Sequence, residues 1–441
     1  MTGLLLATAV TALLLFQMRR MRFFVQVPGL SFSWITGIFL LKIMAGMALW
    51  AVYTYIYPDR NTADIFKYFD DSAHMFKALP HHPIDFLRMI LGIGNDTPEF
   101  RDLYYKDMNN WVRQYESNLY NDAHTIIRFN ALVRLISFGE FHVHTVIAAF
   151  LSLTGLVGLY RSLVRTLHGL ERPLFLGVFL LPSVLFWASG VIKESLLFFG
   201  LGIMLYQITR MGERRIRRTD PIFLALTIIM LFFLKFYVLL SLLPALILLL
   251  WSRSSVRPNL ILKALIVHGV FLGIGLNLQH IIPGFDILGI LTMKQRDFVG
   301  LALQMNSGSF VMPTLLLPDV WLFLKQAPYA LYITLLGPMT HSGGGALGLV
   351  SAAENAGILL FLVLCWVFRR PWRTVDNSLL ISILLYIVVL SLVIGWTTPV
   401  MGAVVRYRTP LLPFLVIIGL LLLDRQKMVA KWPWTSKLFS A

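Results

Sequence analysis

Three short polar stretches carry residue types that do chemistry in an otherwise apolar chain. The first, 61–74, reads Asn-Thr-Ala-Asp-Ile-Phe-Lys-Tyr-Phe-Asp-Asp-Ser-Ala-His and holds Asp64, Asp70 and Asp71. Asp64 and Asp71 are seven apart, and Lys67 and Asp71 four apart. If Asn61 or Thr62 caps a helix here, Asp64, Lys67 and Asp71 share one face. Phe66, Phe69, Ala73 and Phe76 then make an apolar side suited to the membrane interface. A carboxylate just outside a bilayer is placed to act as a general base or to bind a cation, with partial desolvation tuning its acidity. The plainer reading is a solvated helix face with ordinary capping acids.

The second stretch runs from Pro182 to Ser195 and brings two apolar segments together around Ser189-Gly190, with Lys193 and Glu194 opening the second. Ionisable groups at that depth are costly and usually face a cavity or a partner, although both could snorkel to the interface. The third is Val404-Val405-Arg406-Tyr407-Arg408-Thr409-Pro410, read as a loop that leads into the last helix. Guanidinium forks bind phosphate in a bidentate manner, so this pair suits a lipid phosphate or diphosphate. An anchoring salt bridge to Glu194 or Glu354 is the competing account.

Other candidates are weaker. The loop 340–346, Thr-His-Ser-Gly-Gly-Gly-Ala, reads as a disordered connector or else an external lid and lacks the GxxxxGK[ST] pattern of a phosphate loop, and 318–338 suits an interfacial or re-entrant helix. His81-His82 and His142 with His144 have no carboxylate at ligand spacing and read as structural. Lys235, between two apolar runs, is placed to join the cations. There is no nucleophile elbow, HExxH, dinucleotide fingerprint or ATPase module. Any reaction must draw its energy from the substrate itself or from a gradient.

The elements that must position these groups are membrane helices. The chain of 441 residues is 57% hydrophobic and 14% charged, against roughly 25% charged in a soluble domain. Its mean hydropathy is +0.74. Spans are expected at 3–17, 33–57, 142–160, 173–188, 191–209, 221–235, 236–251, 260–278, 352–368, 377–396 and 410–423, several of them short for a ~30 Å core. The formal charge of +16 sits in short basic clusters between spans rather than in an aromatic-interleaved patch, which excludes nucleic acid as the partner. The first apolar run, 4–16, has no basic residue before it and is followed by Arg19, Arg20 and Arg22, so it reads as a retained helix. The single cysteine, Cys365, excludes a disulfide framework or a cysteine metal site.

With the N-terminus outside, alternate connections hold Arg19/Arg20/Arg22, Arg161/Arg165/Arg172, Arg210/Arg214/Arg215/Arg217/Arg218, Arg253/Arg257/Lys263, Arg369/Arg370/Arg373 and Arg425/Lys427/Lys431/Lys437. These clusters make up 21 of the 38 basic residues, which places that face and the C-terminus in the cytoplasm. The long segments 58–141 and 279–351, Lys193-Glu194 and Arg406–Arg408 then share the external face of a single membrane domain. Eleven of the 22 acidic residues lie between Asp59 and Asp122.

Three features together resemble the GT-C superfamily of membrane glycosyltransferases and related exopolysaccharide polymerase-like proteins. They are an early external loop opening with Asp64, Asp70 and Asp71, the Pro-Ser-x-x-x-Trp-x-Ser-Gly-x-x-Lys-Glu turn at Pro182–Glu194, and Arg-Tyr-Arg-x-Pro at Arg406–Pro410. The resemblance implies an all-α polytopic protein of about eleven or twelve transmembrane helices, with amphipathic helices in two long external loops. It also implies a bacterial inner membrane as the location. In that family an acid of the first external loop is the catalytic base or, in some members, a metal ligand. That role falls to Asp64, Asp70 or Asp71, of which Asp71 aligns best. The sequence has Phe-Asp-Asp where the family has Asp-Glu or Asp-x-Asp, so the base and a divalent cation both stay open. The phosphate-binding role falls to Arg406 and Arg408 with Lys193, supported by Glu194, Tyr407 and Glu354. The implied reaction is sugar transfer from a polyprenyl-phosphate-linked donor to a glycan or lipid acceptor, with membrane lipids around it. The rival readings are a polymerase or ligase of lipid-linked oligosaccharides and a transporter or flippase of lipid-linked glycans.

Overall fold

The computed structural model describes residues 2–57, 59–112, 120–213, 216, 218–255, 259–341 and 345–439. Arg214, Arg215, Arg217, Arg257 and Ser342 to Gly344 of the glycine-rich loop lie outside the described residues. The described residues form helices and no strands, with nine helices long and apolar enough to cross a membrane. The chain is an all-helical, multi-pass membrane protein.

The helices that matter here are α1 (Thr2–Arg20), α2 (Phe32–Ala51), α3 (Asp64–Phe76), α4 (Ala123–Ser137), α5 (Phe141–Leu163), α6 (Glu171–Phe179), α7 (Pro182–Trp187), α8 (Lys193–Gly212) and α9 (Asp220–Ser254). They continue with α10 (Leu260–Ile281), α11 (Ile287–Gln304), α12 (Val320–Leu335), α13 (Ala346–Val367), α14 (Asn377–Thr397), α15 (Met401–Tyr407) and α16 (Leu412–Leu422). Nine helices rather than eleven pass that length and composition test, for two local causes.

First, the span expected at 173–188 is broken into α6 and α7. Pro182 has no N–H to continue α6, and it holds Leu181 extended at φ −61°, ψ 123°. Second, the runs 221–235 and 236–251 form the two halves of α9, which meet where expected, at a kink at Lys235 with φ −153° and ψ 74°. The element doubles back there. Asp220 at its start pairs with Arg210 at the far end of α8, and Arg253 at its close pairs with Asp376 at the foot of α14. Lys235 meets Glu194 at the opposite end of α8.

The core pairing is α5 against α8. A Cβ at Gly155 would overlap the Phe198 carbonyl, and one at Gly202 would overlap the Gly155 carbonyl, so only glycines allow the backbones to come this close. In a lipid environment such small-residue contact is a main source of helix association. Around this pair the helices leave two unlike faces. One carries short basic turns, including Arg161 on the Phe23 and Gln26 carbonyls and Arg370 on the Leu423 carbonyl. The other opens into a large cavity.

Helix α3 lies on the cavity face. Its apolar side, with Ile65, Phe66, Phe69 and Met75 buried, packs on α4 and on Phe141 rather than standing free at an interface. The expected cap does not form. Ala63 occupies that position, because the Asp59 carboxylate accepts the Asn61 N–H at 3.0 Å and its carbonyl accepts the Thr62 hydroxyl at 3.0 Å. Those bonds hold Asn61 and Thr62 in a turn before the helix. Helix α12 forms inside the segment 318–338 and packs along α14, with the Gly395 backbone against the Ala330 carbonyl.

Candidate functional site

The cavity has a volume of about 2370 Å³ and gathers residues from α2, α3, α7, α8, α9, α11, α13, α14 and α15. Its lining includes apolar residues such as Phe232, Phe236, Leu240, Ile290, Leu291 and Val393. It also includes charged ones, among them Asp64, Lys67, Asp122, Lys193, Lys235 and Arg406. The three polar stretches thus meet, although they come from opposite ends of the chain.

The centre is a chain of ion pairs. Arg406 Nη1 donates to Asp64 Oδ2 at 2.6 Å, and its Nε lies 3.0 Å from Glu194 Oε1. Lys235 Nζ donates to the same Glu194 oxygen at 3.0 Å and to the Tyr237 hydroxyl at 3.2 Å, and it lies 4.1 Å from the centre of the Tyr407 ring. Beside this chain, Lys193 pairs with Asp122 at 2.7 Å and faces the Tyr68 ring at 5.3 Å. The Arg406 guanidinium also faces Trp187, at 5.9 Å.

Sequence order explains who stands where. The break at Leu180-Leu181 ends one helix early, and the turn 188–192 lets α8 begin with Lys193 and Glu194 at cavity depth. Lys42 of α2, fully buried, donates to the Ala188 carbonyl at 2.9 Å and ties that turn down. Gly46, one turn further along α2, lets the Ser189 carbonyl approach its backbone. Arg406 is not on a loop before the last helix, as expected, but inside α15, where it is 9% exposed.

The three candidate aspartates part company. Asp64 lines the cavity. Burial alone would raise its carboxyl, but Arg406, Lys193 and Lys67 outweigh that and hold it below the ordinary carboxylate range. Asp70 lies outside the cavity and forms a two-pronged, largely exposed pair with Arg60, both contacts at 2.7 Å. Asp71, the best-aligned candidate, is fully buried and accepts the backbone N–H groups of Asn109 and Asn110 at 2.7 and 2.8 Å. It shares a face with Asp64 but sits ~10 Å further along the helix, under the segment 105–112. Burial pushes Asp71 up to about 6 despite those two donors. Its work is to hold Asn109 and Asn110 against the cavity, which both residues line.

Arg408 and Glu354 also stay outside the cavity. Arg408 is fully buried and donates to Asn355 Oδ1 at 2.6 Å and to the Thr334 and Leu335 carbonyls, so it ties α15 to α12 and α13. Glu354 accepts the Ser183 N–H at 2.8 Å and the Ser183 hydroxyl, satisfying the start of α7 after Pro182. Neither arginine–glutamate bridge expected for the third stretch includes Glu354; Arg406 takes Glu194.

Sequence reasoning missed Asp122, the last acid of the acidic segment, and Lys294 on α11, which faces the Tyr237 ring at 5.1 Å. Both are single charges without a motif.

His144 makes a Ser–His–Asn arrangement, its Nδ1 2.7 Å from Asn130 Oδ1 and its Nε2 2.8 Å from Ser137 Oγ. All three residues are fully buried, so no substrate can reach the hydroxyl, and the network locks α4 to α5. Among the described residues no three His, Cys, Asp or Glu side chains come together as a metal site. Asp64 and Asp122 are each matched with a cation, a donor set that suits an anionic ligand better than a divalent ion.

No family model matches the chain, and neither do any curated protein or solved structure.

Proposed function

We propose that this protein is a membrane-embedded glycosyltransferase that moves a sugar from a polyprenyl-phosphate-linked donor to a glycan or lipid acceptor in cell-surface glycan synthesis. The observation that carries this reading is the juxtaposition of a cavity carboxylate, Asp64, with Arg406 and Lys193 in a cavity that is also lined by many apolar side chains. A phosphate-linked lipid asks for both halves, cations for the headgroup and hydrocarbon for the chain. The basic turns opposite the cavity face support an external position for the cavity, by the charge rule.

In the transfer, Asp64 accepts the proton of the acceptor hydroxyl while that oxygen bonds to the anomeric carbon. The bond from that carbon to the phosphate oxygen breaks and its electron pair leaves with the phosphate. Arg406 and Lys193 stabilise the charge that grows there. The step inverts the anomeric centre. Glu194 holds Arg406 and Lys235 side by side, and Tyr407 covers the Lys235 ammonium.

The volume favours one variant of this reading. At about 2370 Å³ the cavity exceeds the roughly 300–1,000 Å³ of ordinary small-molecule sites, so a lipid-linked oligosaccharide as donor or acceptor also fits.

The test is donor chemistry in proteoliposomes supplied with a labelled polyprenyl-phosphate sugar. A transferase consumes the donor and leaves free polyprenyl phosphate. Donor that crosses the bilayer intact would instead identify a flippase and overturn the proposal.

A further inference from the structure

We propose that Asp64 is a displaceable counter-ion, which an incoming phosphate drives off Arg406 so that the base is released only when an anionic headgroup is bound. This inference rests on the reading of the cavity as a site for a phosphate-linked donor.

Two carboxylates hold Arg406, in unlike surroundings. Glu194 is fully buried, lies behind the cavity wall and is shared with Lys235. Removing it would leave two buried cations facing each other, which is strongly unfavourable. Asp64 lines the cavity, and 34% of its side chain is exposed, so water can replace what it loses. Asp64, Glu194, Arg406 and Lys235 are two acids and two cations, a balanced set. A phosphate on Arg406 adds a further anion, and like charges around one guanidinium repel. The acid that gives way is the one solvent can accept, Asp64. Glu194 stays as the fixed anion that keeps the two cations assembled.

The chemical consequence is a gated base. While Arg406 and Lys193 hold Asp64 below the ordinary carboxylate range, it is a poor proton acceptor. Once Arg406 is shared with phosphate, burial and the new anion act in the opposite direction and raise its basicity. Proton abstraction then waits for the donor.

The experiment is titration of the full-length protein in nanodiscs with dodecyl phosphate. Asp64→Asn removes the competing anion and is expected to tighten binding about tenfold, whereas Arg406→Gln is expected to abolish it. Asp64→Ala, which removes the acid without adding an amide, must shift affinity in the same direction if the asparagine variant fails to fold. Wild-type affinity is expected to gain on acidification beyond what the Asp64→Asn protein shows. Binding that is lost in Arg406→Gln but unchanged or weaker in both Asp64 variants overturns the counter-ion role alone. Absence of dodecyl phosphate binding in the wild type overturns the donor-site reading as well.

Discussion

At the residue scale, three aspartates within eight positions have three different fates, and solvent access separates them. Asp64 faces the cavity, Asp70 pairs with Arg60 on the surface, and Asp71 is buried beneath two backbone amides. Replacing Asp64 by Asn is therefore expected to lower glycan transfer by roughly 10²–10⁴-fold, the usual worth of a general base, and Asp70→Asn to leave it near wild type. A transfer assay on both variants checks this, and equal rates would remove Asp64 from the mechanism. Asp71 makes a pH prediction of its own. Because its native carboxyl is raised to about 6, the folded chain keeps a proton that the unfolded chain has lost. Its contribution to stability declines as pH rises from about 4 to about 6. The thermal midpoint of Asp71→Asn should lack that component, and superimposable pH profiles for the two proteins would refute it.

At the element scale, small residues and broken helices set the depth of each charge. The α5–α8 contact brings Gly155 and Gly202 backbone to backbone, so even a methyl group at Gly202 meets a carbonyl oxygen. Gly202→Ala is expected to destabilise by about 1–3 kcal/mol through overpacking, read as a lowered unfolding midpoint in detergent. An unchanged midpoint would mean the helices separate at little cost. Nothing in the sequence singles out these two glycines or their partners, because a glycine in an apolar run has no period of its own. The same limit applies at Lys235. A lysine between two apolar runs suggests a turn, and the bend is there, but that it takes only one residue out of helical geometry is seen only in the structure.

At the scale of the whole molecule, the doubling-back of α9 requires both of its ends on the face opposite the cavity. In a Cys365→Ala background, Thr219→Cys and Ser254→Cys should react with an impermeant thiol reagent from one side of the membrane, and Asn306→Cys from the other. Labelling of Thr219→Cys and Ser254→Cys from opposite sides would show that α9 runs straight through. The ion-pair chain itself joins positions 64, 194, 235 and 406, and only helix packing can bring these together.

Composition and basic clusters by themselves determined that the chain is a helical, multi-pass membrane protein, since a bilayer tolerates few charges and every span must be apolar. Residue type also marked the acidic segment, Lys193-Glu194 and the Arg406/Arg408 pair, because charge within or beside a bilayer is costly. Only the tertiary structure decided which charges meet. Arg406 and Arg408 are two residues apart, nearly 200° around a helix, so one reaches Asp64 and Glu194 while the other turns to Asn355. Asp64 and Asp71 share a helix face, and the segment 105–112 covers one and leaves the other to the cavity. Coverage and direction are properties of packed neighbours, which a local pattern does not contain.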